Sequence, residues 1–496
     1  MDKSDIRWNN NFTFLISMIG SAVGLGNIWR YPYILYSNGG GSFLFVYLIT
    51  ILLFGVPFLL LEYSIGFKFK NSIPKIFGSI NHRLEVIGWF IVLIPFMILT
   101  YYTTVIGWDA IYFILSFFKG WGADTNNFFS QSVLQSTDSI GGLTHIVLFC
   151  LISTLFVWFI IWFISHRDLN KGIGKVNKAL IPLLFITMAC IVIYSLTLKG
   201  ALLGLTTLFT PKWSEISNPN IWIAAITQIL FSLSIGVGVS TTYSSYISKN
   251  PKLTKNAIIV VCANCGFEFF TAIGIFSILG FMSATTGIGI HNLISEGTGL
   301  AFIVFPQVLN VFGDVAYIIG PIFFLCIFFA GVTSAISLLE PLISGMKEKS
   351  GLSRKKVTTC LVLVGTLISV IYTTGYGSYI LSIVDQTLNQ VFVIFCVILE
   401  AIIFSWFWGL DKIIRVLNIN PATKIGKYWM LSMKYLLPFA LICLWISGIY
   451  NILKTAGFME QIVNLIILLI FIIVPFILTS FPSKSAENDN SELAKI

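Results

Sequence analysis

Long apolar stretches recur along the whole chain and are separated by short polar connections. We count twelve of them, and each is long enough to cross a bilayer as a helix of about twenty residues. They fall at residues 12–36, 41–66, 88–118, 142–165, 176–198, 220–246, 255–284, 305–345, 355–374, 378–408, 428–452 and 459–480. This pattern predicts an all-α membrane protein with twelve transmembrane helices.

The first stretch is interrupted in its middle. Residues 20–32 read GSAVGLGNIWRYP and combine three glycines with Asn27, Arg30 and Pro32. Backbone groups in hydrocarbon must be paired, so non-helical backbone survives there only where it lines a polar cavity or is buried in protein. The segment therefore predicts a discontinuous helix whose freed carbonyls and amides bind a small cation and an anionic or zwitterionic solute.

A second interruption lies in the middle of the sixth stretch, where residues 231–238 read FSLSIGVG. Each group of five helices then begins with a broken one, and an odd number of helices places the second group upside down in the membrane. We therefore predict two inverted five-helix repeats, helices 1–5 and 6–10, with discontinuous helices 1 and 6. We predict a single transporter domain at 1–480, followed by a disordered cytoplasmic tail at 481–496. Within the domain the repeats span 12–200 and 220–410, and helices 11 and 12 span 428–480.

Residues 287–312 lie between the seventh and eighth stretches and are too apolar for a free loop, yet too broken for a full span. They predict a short helical hairpin over the outer vestibule. A tilted helix end is the alternative.

Charge is scarce and unevenly placed: the chain is 56% apolar and 10% charged, with a net charge of +9. Lysine and arginine cluster at 68–83, 167–178, 249–255, 347–356 and 412–427, whereas the opposite loops hold Lys119, Lys199, Lys212 and Lys454. This asymmetry predicts a multi-pass membrane protein with both termini in the cytoplasm. We expect its location to be the cell (inner) membrane of a prokaryote. The basic charge orients the chain in the lipid bilayer, and we expect no nucleic-acid partner.

Several segments together resemble the neurotransmitter:sodium symporter family, whose members have the LeuT fold. They are GSAVGLGNIWRYP, NGGG at 38–41, FSLSIGVG, EGTGLAF at 296–302 and FAGVTS at 329–334. The resemblance covers residues 7–410. It implies a sodium-coupled symporter that takes up an amino acid by alternating access and acts as a monomer or weak homodimer. The sequence offers no nucleophile–base arrangement, so we do not expect an enzyme.

By this resemblance the chain holds two co-transported sodium ions. Sodium is a hard cation that prefers oxygen ligands, including backbone carbonyls and hydroxyls. Ser232 replaces a threonine that is common in the family but keeps the hydroxyl. The implied ligands are Gly20, Val23, Ala330, Thr333 and Ser334 at one site, and Ala22, Asn27, Ser232, Asn264 and a substrate carboxylate oxygen at the other. The alternative for such hydroxyls is a bond back to their own helix.

The same resemblance implies a zwitterionic substrate. Its carboxylate is expected on the amides of Leu25 and Gly26, beside a sodium ion and the Tyr102 hydroxyl. Its ammonium is expected at carbonyls that end the inner half-helices, and its side chain in an apolar pocket, which predicts a hydrophobic or aromatic amino acid. The substrate-binding set is Ser21, Ala22, Gly24, Leu25, Gly26, Ile98, Tyr102, Phe231, Ser232, Ser234, Val237, Ser334 and Leu338.

Charged residues inside the apolar stretches are functional or structural candidates, because such residues are expensive in a membrane. Arg30 and Asp385 resemble the outer gate pair of the family, with Gln228 between them, and Glu62 and Glu400 are expected to cap the broken helices. Asp109 is expected at a helix end facing water. The residues that resemble the inner gate are Arg7, Trp8, Tyr246 and Glu348. The family arginine usually lies three residues before the tryptophan, whereas Arg7 immediately precedes Trp8, so the sequence leaves undecided whether Arg7 pairs with Glu348.

Glu268 lies four residues after Asn264, one turn along the same helical face. Family members that need chloride carry a small polar residue there, whereas chloride-independent members carry a carboxylate. We therefore predict chloride-independent transport, with Glu268 supplying the negative charge and able to return a proton. A structural buried glutamate is the alternative for this residue. For the whole chain the alternatives are a symporter of another small zwitterion or osmolyte, and a non-transporting amino-acid sensor.

Overall fold

The computed structural model describes residues 7–137, 139–248, 252–294, 297–419 and 425–482. Most of the tail predicted at 481–496 lies outside these ranges. In the described part ten helices are long and apolar enough to cross a membrane, one bent pair of helices is an eleventh span, and a broken helix that includes the shorter apolar helix Pro219–Ser232 brings the count to the predicted twelve. They are α1 (Asn11–Ala22 and Leu25–Ser37), α2 (Gly41–Phe69), α3 (His82–Ser116), α4 (Leu148–Ser165), α5 (Asn170–Leu196), α6 (Pro219–Ser232 and Val239–Ser245), α7 (Leu253–Thr286), α8 (Gly313–Ser350), α9 (Arg354–Thr373), α10 (Gly377–Leu417), α11 (Lys427–Thr455) and α12 (Phe458–Ser480).

Shorter helices connect these spans. The eighth apolar stretch was predicted to begin at residue 305, but a separate helix ends at Val311 and Gly313 follows with φ of 62°. That left-handed backbone suits glycine and turns the chain before α8 continues. The connecting helices are Ile73–Ile80, Thr125–Asn127, Phe128–Val133, Ile140–Thr144, Ala201–Phe209, Trp213–Ser217, Ile290–Leu293 and Leu300–Val311.

Both predicted helix interruptions are present. The two halves of α1 meet at an angle of 52° around the extended backbone of Val23 and Gly24. The halves of α6 are separated by a turn in which Ser234, Gly236 and Gly238 have φ values of 52°, 77° and 75°. A helix cannot continue through such left-handed residues, so the interruption follows directly from the backbone.

The broken helices lie in the protein interior. The long helices α3 and α8 pack along each other, and the first half of α1 contacts α5, α7 and α8. The second half of α6 lies tight against α2, where a Cβ added to Gly66 would fall 2.0 Å from the Thr241 carbonyl oxygen. In contrast, α11 and α12 expose most of their apolar surface. The interruptions are therefore shielded from lipid, as unpaired backbone in a membrane requires.

Candidate substrate and sodium site

A continuous chain of hydrogen bonds joins the interruption and the second half of α1 to α6 and α7. The Gly24 amide donates to Asn27 Oδ1 (2.8 Å), Asn27 Nδ2 donates to Asn264 Oδ1 (2.8 Å), and Asn264 Nδ2 donates to Ser232 Oγ (2.9 Å). All three side chains are buried. The structure thus gathers three neutral oxygen ligands from three helices at one buried point, a donor set that suits a hard monovalent cation.

The bond to Asn27 also explains how a carbonyl is released. In an unbroken helix the Gly24 amide would donate to the carbonyl of Gly20, but here it turns to the Asn27 side chain. Val23 has extended backbone (φ −79°, ψ 99°), so its carbonyl also leaves the helical ladder. The interruption itself therefore frees the Gly20 and Val23 carbonyls from helical pairing. Both belong to the second sodium set, which is the predicted group of Gly20, Val23, Ala330, Thr333 and Ser334.

The hydroxyls of that second set lie on α8. Thr333 Oγ1 donates to the carbonyls of Phe329 (2.9 Å) and Ala330 (3.1 Å) in its own helix, and Ser334 Oγ donates across to the Ser21 carbonyl (3.4 Å). The bond back to the helix, which was the alternative for such hydroxyls, is present at Thr333. Because a hydroxyl keeps its oxygen lone pairs when it donates, this arrangement still leaves acceptors for a cation.

The start of the second half of α1 faces Tyr102 of α3. The Leu25 amide donates to Tyr102 Oη at 3.2 Å, which leaves the tyrosine proton available for another acceptor. A Cβ added to Gly24 would lie 3.2 Å from Tyr102 Oη and 3.3 Å from Ser334 Oγ. Backbone amides at a helix start, a hydroxyl donor and a site without a side chain can receive a carboxylate.

A second polar point lies on the other side of the interruption. The Ser21 carbonyl accepts hydrogen bonds from both Ser234 Oγ and Ser334 Oγ, each at 3.4 Å. Ser234 belongs to the turn of α6 and Ser334 to α8, so two distant segments converge on one carbonyl of α1. A cluster of carbonyl and hydroxyl oxygens can accept the protons of an ammonium group.

Apolar side chains complete the region. The half-buried Phe231 ring lies directly over Gly26, and the Arg30 guanidinium lies 4.4 Å from the centre of the same ring. The other predicted pocket residues are buried within the hydrophobic core: Ile98, Val237 and Leu338.

Glu268 is buried and held by two donors. The Tyr47 hydroxyl on α2 donates to one carboxylate oxygen, and Gln228 Nε2 on α6 donates to the other at 2.7 Å. Gln228, which was expected between Arg30 and Asp385, directs its amide nitrogen to Glu268. A buried carboxylate without hydrogen-bond donors has a large desolvation cost, and the Gln228 amide lowers that cost by donating to Glu268.

At the predicted outer gate, Asp385 accepts a hydrogen bond from Tyr101 (2.6 Å) and one from Asn389 (2.9 Å). Arg30 stacks on Phe231 and interacts electrostatically with Asp385. Arg30 and Asp385 thus lie near each other, with Arg30 against the Phe231 ring and Asp385 hydrogen-bonded to Tyr101 and Asn389.

Trp8 anchors the N-terminal segment against the second half of α6. Its indole N–H donates to the Tyr243 carbonyl (2.8 Å) and its backbone amide to the Tyr246 carbonyl (3.0 Å). The Tyr246 hydroxyl in turn donates to Glu340 Oε1 at 3.0 Å. Trp8 and Tyr246 therefore lie together, as the predicted inner gate requires.

The pairing of Glu348 differs from the prediction. Glu348 accepts the Ser72 amide at 2.9 Å and forms an ion pair with Lys75 at 3.1 Å, and no ion pair in the described part of the chain joins it to Arg7. The Arg7–Glu348 pair was therefore wrong. Trp8 is held by its hydrogen bonds, and the neighbouring Arg7 lies near Lys70, where the two positive charges repel each other. Lys75, rather than Arg7, neutralises Glu348.

The principal inner ion pair was missed. Glu340 of α8 is fully buried and accepts two hydrogen bonds from the Arg354 guanidinium, at 2.7 Å and 2.6 Å. From the sequence, Arg354 was used only to predict the orientation in the membrane. Glu340, however, is an isolated carboxylate inside an apolar stretch, and a buried carboxylate needs a positively charged partner. That unmet need was the available signal.

Two further carboxyl groups differ in their surroundings. Glu62 of α2 accepts the Gly236 amide at 2.8 Å and so caps the interruption of α6 as predicted, with Glu400 beside it. Asp109 was expected to face water at a helix end, and this was wrong. It is fully buried in α3, because that helix continues unbroken to Ser116.

Comparisons with known proteins agree with this architecture. The model of the sodium:neurotransmitter symporter family matches residues 6–126 and 122–479. The chain is similar to an uncharacterized sodium-dependent transporter of Methanocaldococcus jannaschii (39% identical, 85% of this chain and 86% of that protein) and to the sodium-dependent serotonin transporter of Drosophila melanogaster (28%, 91% and 77%). It also resembles the crystal structure of MhsT in complex with L-phenylalanine, with a TM-score of 0.75, 30% identity and coverage of 89% of this chain and 99% of that one. The chain belongs to the sodium:neurotransmitter symporter family.

Proposed function

We propose that this protein takes up a hydrophobic amino acid, with aromatic side chains favoured, by sodium-coupled symport. The observation that carries the proposal is the interruption of α1, where Tyr102 meets the Leu25 amide and two serine hydroxyls meet the Ser21 carbonyl. A zwitterion satisfies both points at once. A pure anion or cation would leave one of them unpaired, which costs several kcal/mol in a dry site.

The substrate side chain would then lie against Phe231, Ile98, Val237 and Leu338. These residues offer apolar surface without a charged partner for an acidic or basic side chain. The phenylalanine complex of the related MhsT supports an aromatic substrate here.

Uptake into proteoliposomes tests this function. We expect labelled phenylalanine to accumulate only under an inward sodium gradient, with competition by aromatic and large aliphatic amino acids. Betaine and creatine belong in the competition panel because they represent other zwitterions. Preference for them, or for acidic or cationic amino acids, would contradict the proposed substrate, and uptake without sodium would contradict symport.

Tyr102→Phe tests the carboxylate contact. Removing a hydroxyl that bonds a charged group costs about 1.5–3 kcal/mol, so we expect substrate affinity to fall about 10- to 150-fold. Tyr428→Phe is the matched control because Tyr428 is 90% exposed. Unchanged affinity in Tyr102→Phe would exclude this contact.

We also propose two sodium ions per substrate, on the two oxygen sets around Asn27 and Thr333. Each ion moving down a tenfold gradient and 100 mV releases about 3.7 kcal/mol, so two coupled ions support roughly 10⁵-fold accumulation. Asn27→Ala and Thr333→Val should each weaken sodium binding separately. The ratio of labelled sodium flux to substrate flux measures the number directly, and a ratio of one would contradict two coupled sites.

Glu268 supports chloride independence, because a buried carboxylate already provides negative charge near the asparagine-rich sodium set. Replacing chloride by gluconate should leave uptake unchanged, whereas Glu268→Ser should make uptake depend on chloride. Loss of uptake by the unaltered protein in gluconate would refute this. Acidification outside loaded vesicles during the return step would reveal proton counter-transport through this residue.

We propose that both termini face the cytoplasm in the cell membrane. The basic clusters at Arg167–Lys178 and Lys347–Lys356 support this orientation, since lysine and arginine accumulate on the cytoplasmic side. Labelling of single cysteines placed in these segments by an impermeant reagent, from either side of the membrane, tests it.

A further inference from the structure

Asp109 is a buried acidic group that the proposed symport mechanism leaves unused. The side chain is fully buried in α3, and neither carboxylate oxygen has a hydrogen-bond partner among the described residues. None of the ion pairs in the described ranges includes it. An ionised carboxylate without donors or counter-charge is strongly unfavourable inside a membrane protein. This position therefore needs a positively charged ligand.

The surroundings identify that ligand. Asp109 lies near the Cys326 thiol of α8, which itself donates to the Leu184 carbonyl of α5 at 3.7 Å. On its own helix, Trp108 Nε1 and Tyr112 Oη also lack partners within the described chain. Sodium requires several oxygen ligands, which one carboxyl group and a thiol do not supply. A proton needs only the carboxyl group.

The position is close to the proposed sodium set on α8. A Cβ added to Gly331 would lie 2.7 Å from Ile106 Cγ1, so Ile106 packs against the residue that follows Ala330 in α8. Asp109 is three residues further along α3, a rise of about 4.5 Å. A sodium ion in that set would therefore lie on the order of 10 Å from the carboxyl group, close enough to change its proton affinity about tenfold.

We propose that Asp109 is a proton-binding site linked to sodium binding. In the arrangement described here the carboxyl group is the neutral acid, and sodium bound at Ala330, Thr333 and Ser334 favours its deprotonation. The O–H bond then breaks and the proton passes to water, so that one positive charge replaces another between α3 and α8. Because linkage is reciprocal, protons oppose sodium binding. This inference rests on the proposed sodium site.

Infrared difference spectroscopy tests the proton directly. The purified full chain in sodium-free buffer should show the carbonyl stretch of a protonated carboxylic acid. That band should disappear in Asp109→Asn, shift in Asp109→Glu and weaken when sodium is added to the unaltered protein. If Asp109→Asn leaves the spectrum unchanged, Asp109 carries no proton and the proposal is wrong.

Sodium-dependent thermal stabilisation tests the linkage without requiring transport. As the pH is lowered we expect the sodium midpoint of the unaltered protein to rise by up to about tenfold. Asp109→Asn should lose that rise yet keep sodium stabilisation, whereas Asp314→Asn, at an exposed outer position, should retain it. An undiminished rise in Asp109→Asn would overturn the linkage. Absence of any sodium stabilisation in the unaltered protein would instead contradict the proposed symport, and the infrared band would still report on Asp109.

Discussion

Gly26 offers a direct test of how the broken helix shapes the substrate pocket. A Cβ at this position would lie 2.4 Å from Phe231 Cε1 and 3.2 Å from Phe231 Cδ1. Non-bonded carbon atoms prefer separations of about 3.5–4.0 Å, so Gly26→Ala must displace the ring by about 1 Å. The Arg30 guanidinium over the same ring restricts that movement. The substitution therefore changes the pocket wall and the outer gate together.

The cost follows from overpacking. Inserting a methyl group into a packed core costs about 1–3 kcal/mol. If the substrate lies against Phe231 as proposed, it occupies the space into which the displaced ring would otherwise move. We therefore expect most of the cost to fall on binding, which weakens substrate affinity about 5- to 150-fold.

Equilibrium binding of labelled phenylalanine to the purified protein measures this effect. Gly266→Ala is the matched control, because nothing lies within 4 Å of a Cβ added at that position. The double variant Gly26→Ala/Phe231→Ala removes the ring with which the methyl group collides. We expect a coupling energy of about 0.5–3 kcal/mol between the two sites. Additive effects, or normal affinity in Gly26→Ala, would refute the proposed contact.

Other predictions concern the inner half of the molecule. Arg354→Ala leaves Glu340 buried without its partner and should lower the free energy of unfolding by about 3–5 kcal/mol, whereas Lys75→Ala at a partly exposed pair should cost less than about 1 kcal/mol in the same denaturation assay. Burial and the nearby charge of Arg7 lower the pKa of Lys70 to about 8, so the unfolded chain binds more protons between pH 8 and the ordinary lysine value. Melting temperature should therefore rise with pH across that window, and this rise should be smaller in Lys70→Met. Glu62→Leu removes the cap of the α6 interruption and should abolish substrate binding and reduce thermal stability, because the Gly236 amide would lose its acceptor.

The parts of the site that depend on local spacing could be predicted from the sequence. The interruption of α1 follows from the glycines, Asn27 and Pro32 within one apolar stretch. Asn264 and Glu268 share a helical face because they are four residues apart. In each case the information lies within one helix, where geometry follows from sequence separation.

The partners of these residues could not be predicted in the same way. Tyr47 donates to Glu268 across a sequence separation of 221 residues, and Lys75 rather than Arg7 pairs with Glu348. Such choices depend on the tilt and rotation of whole helices. Packing against neighbouring helices sets those quantities, so hydropathy and spacing leave them undetermined.

Buried carboxyl groups show how one membrane rule separates scaffold from function. Glu62 receives an amide that the interruption of α6 releases, Glu268 receives two side-chain donors, and Glu340 receives a guanidinium. Each of these groups is matched by a donor that the fold provides in the state described here. Asp109 is not, and an unbroken α3 has no spare backbone amide to offer it. Since neither Asp109 oxygen has a donor among the described residues, we propose that a mobile ligand compensates this carboxyl group, and a proton is the smallest ligand that can exchange for the charge of sodium.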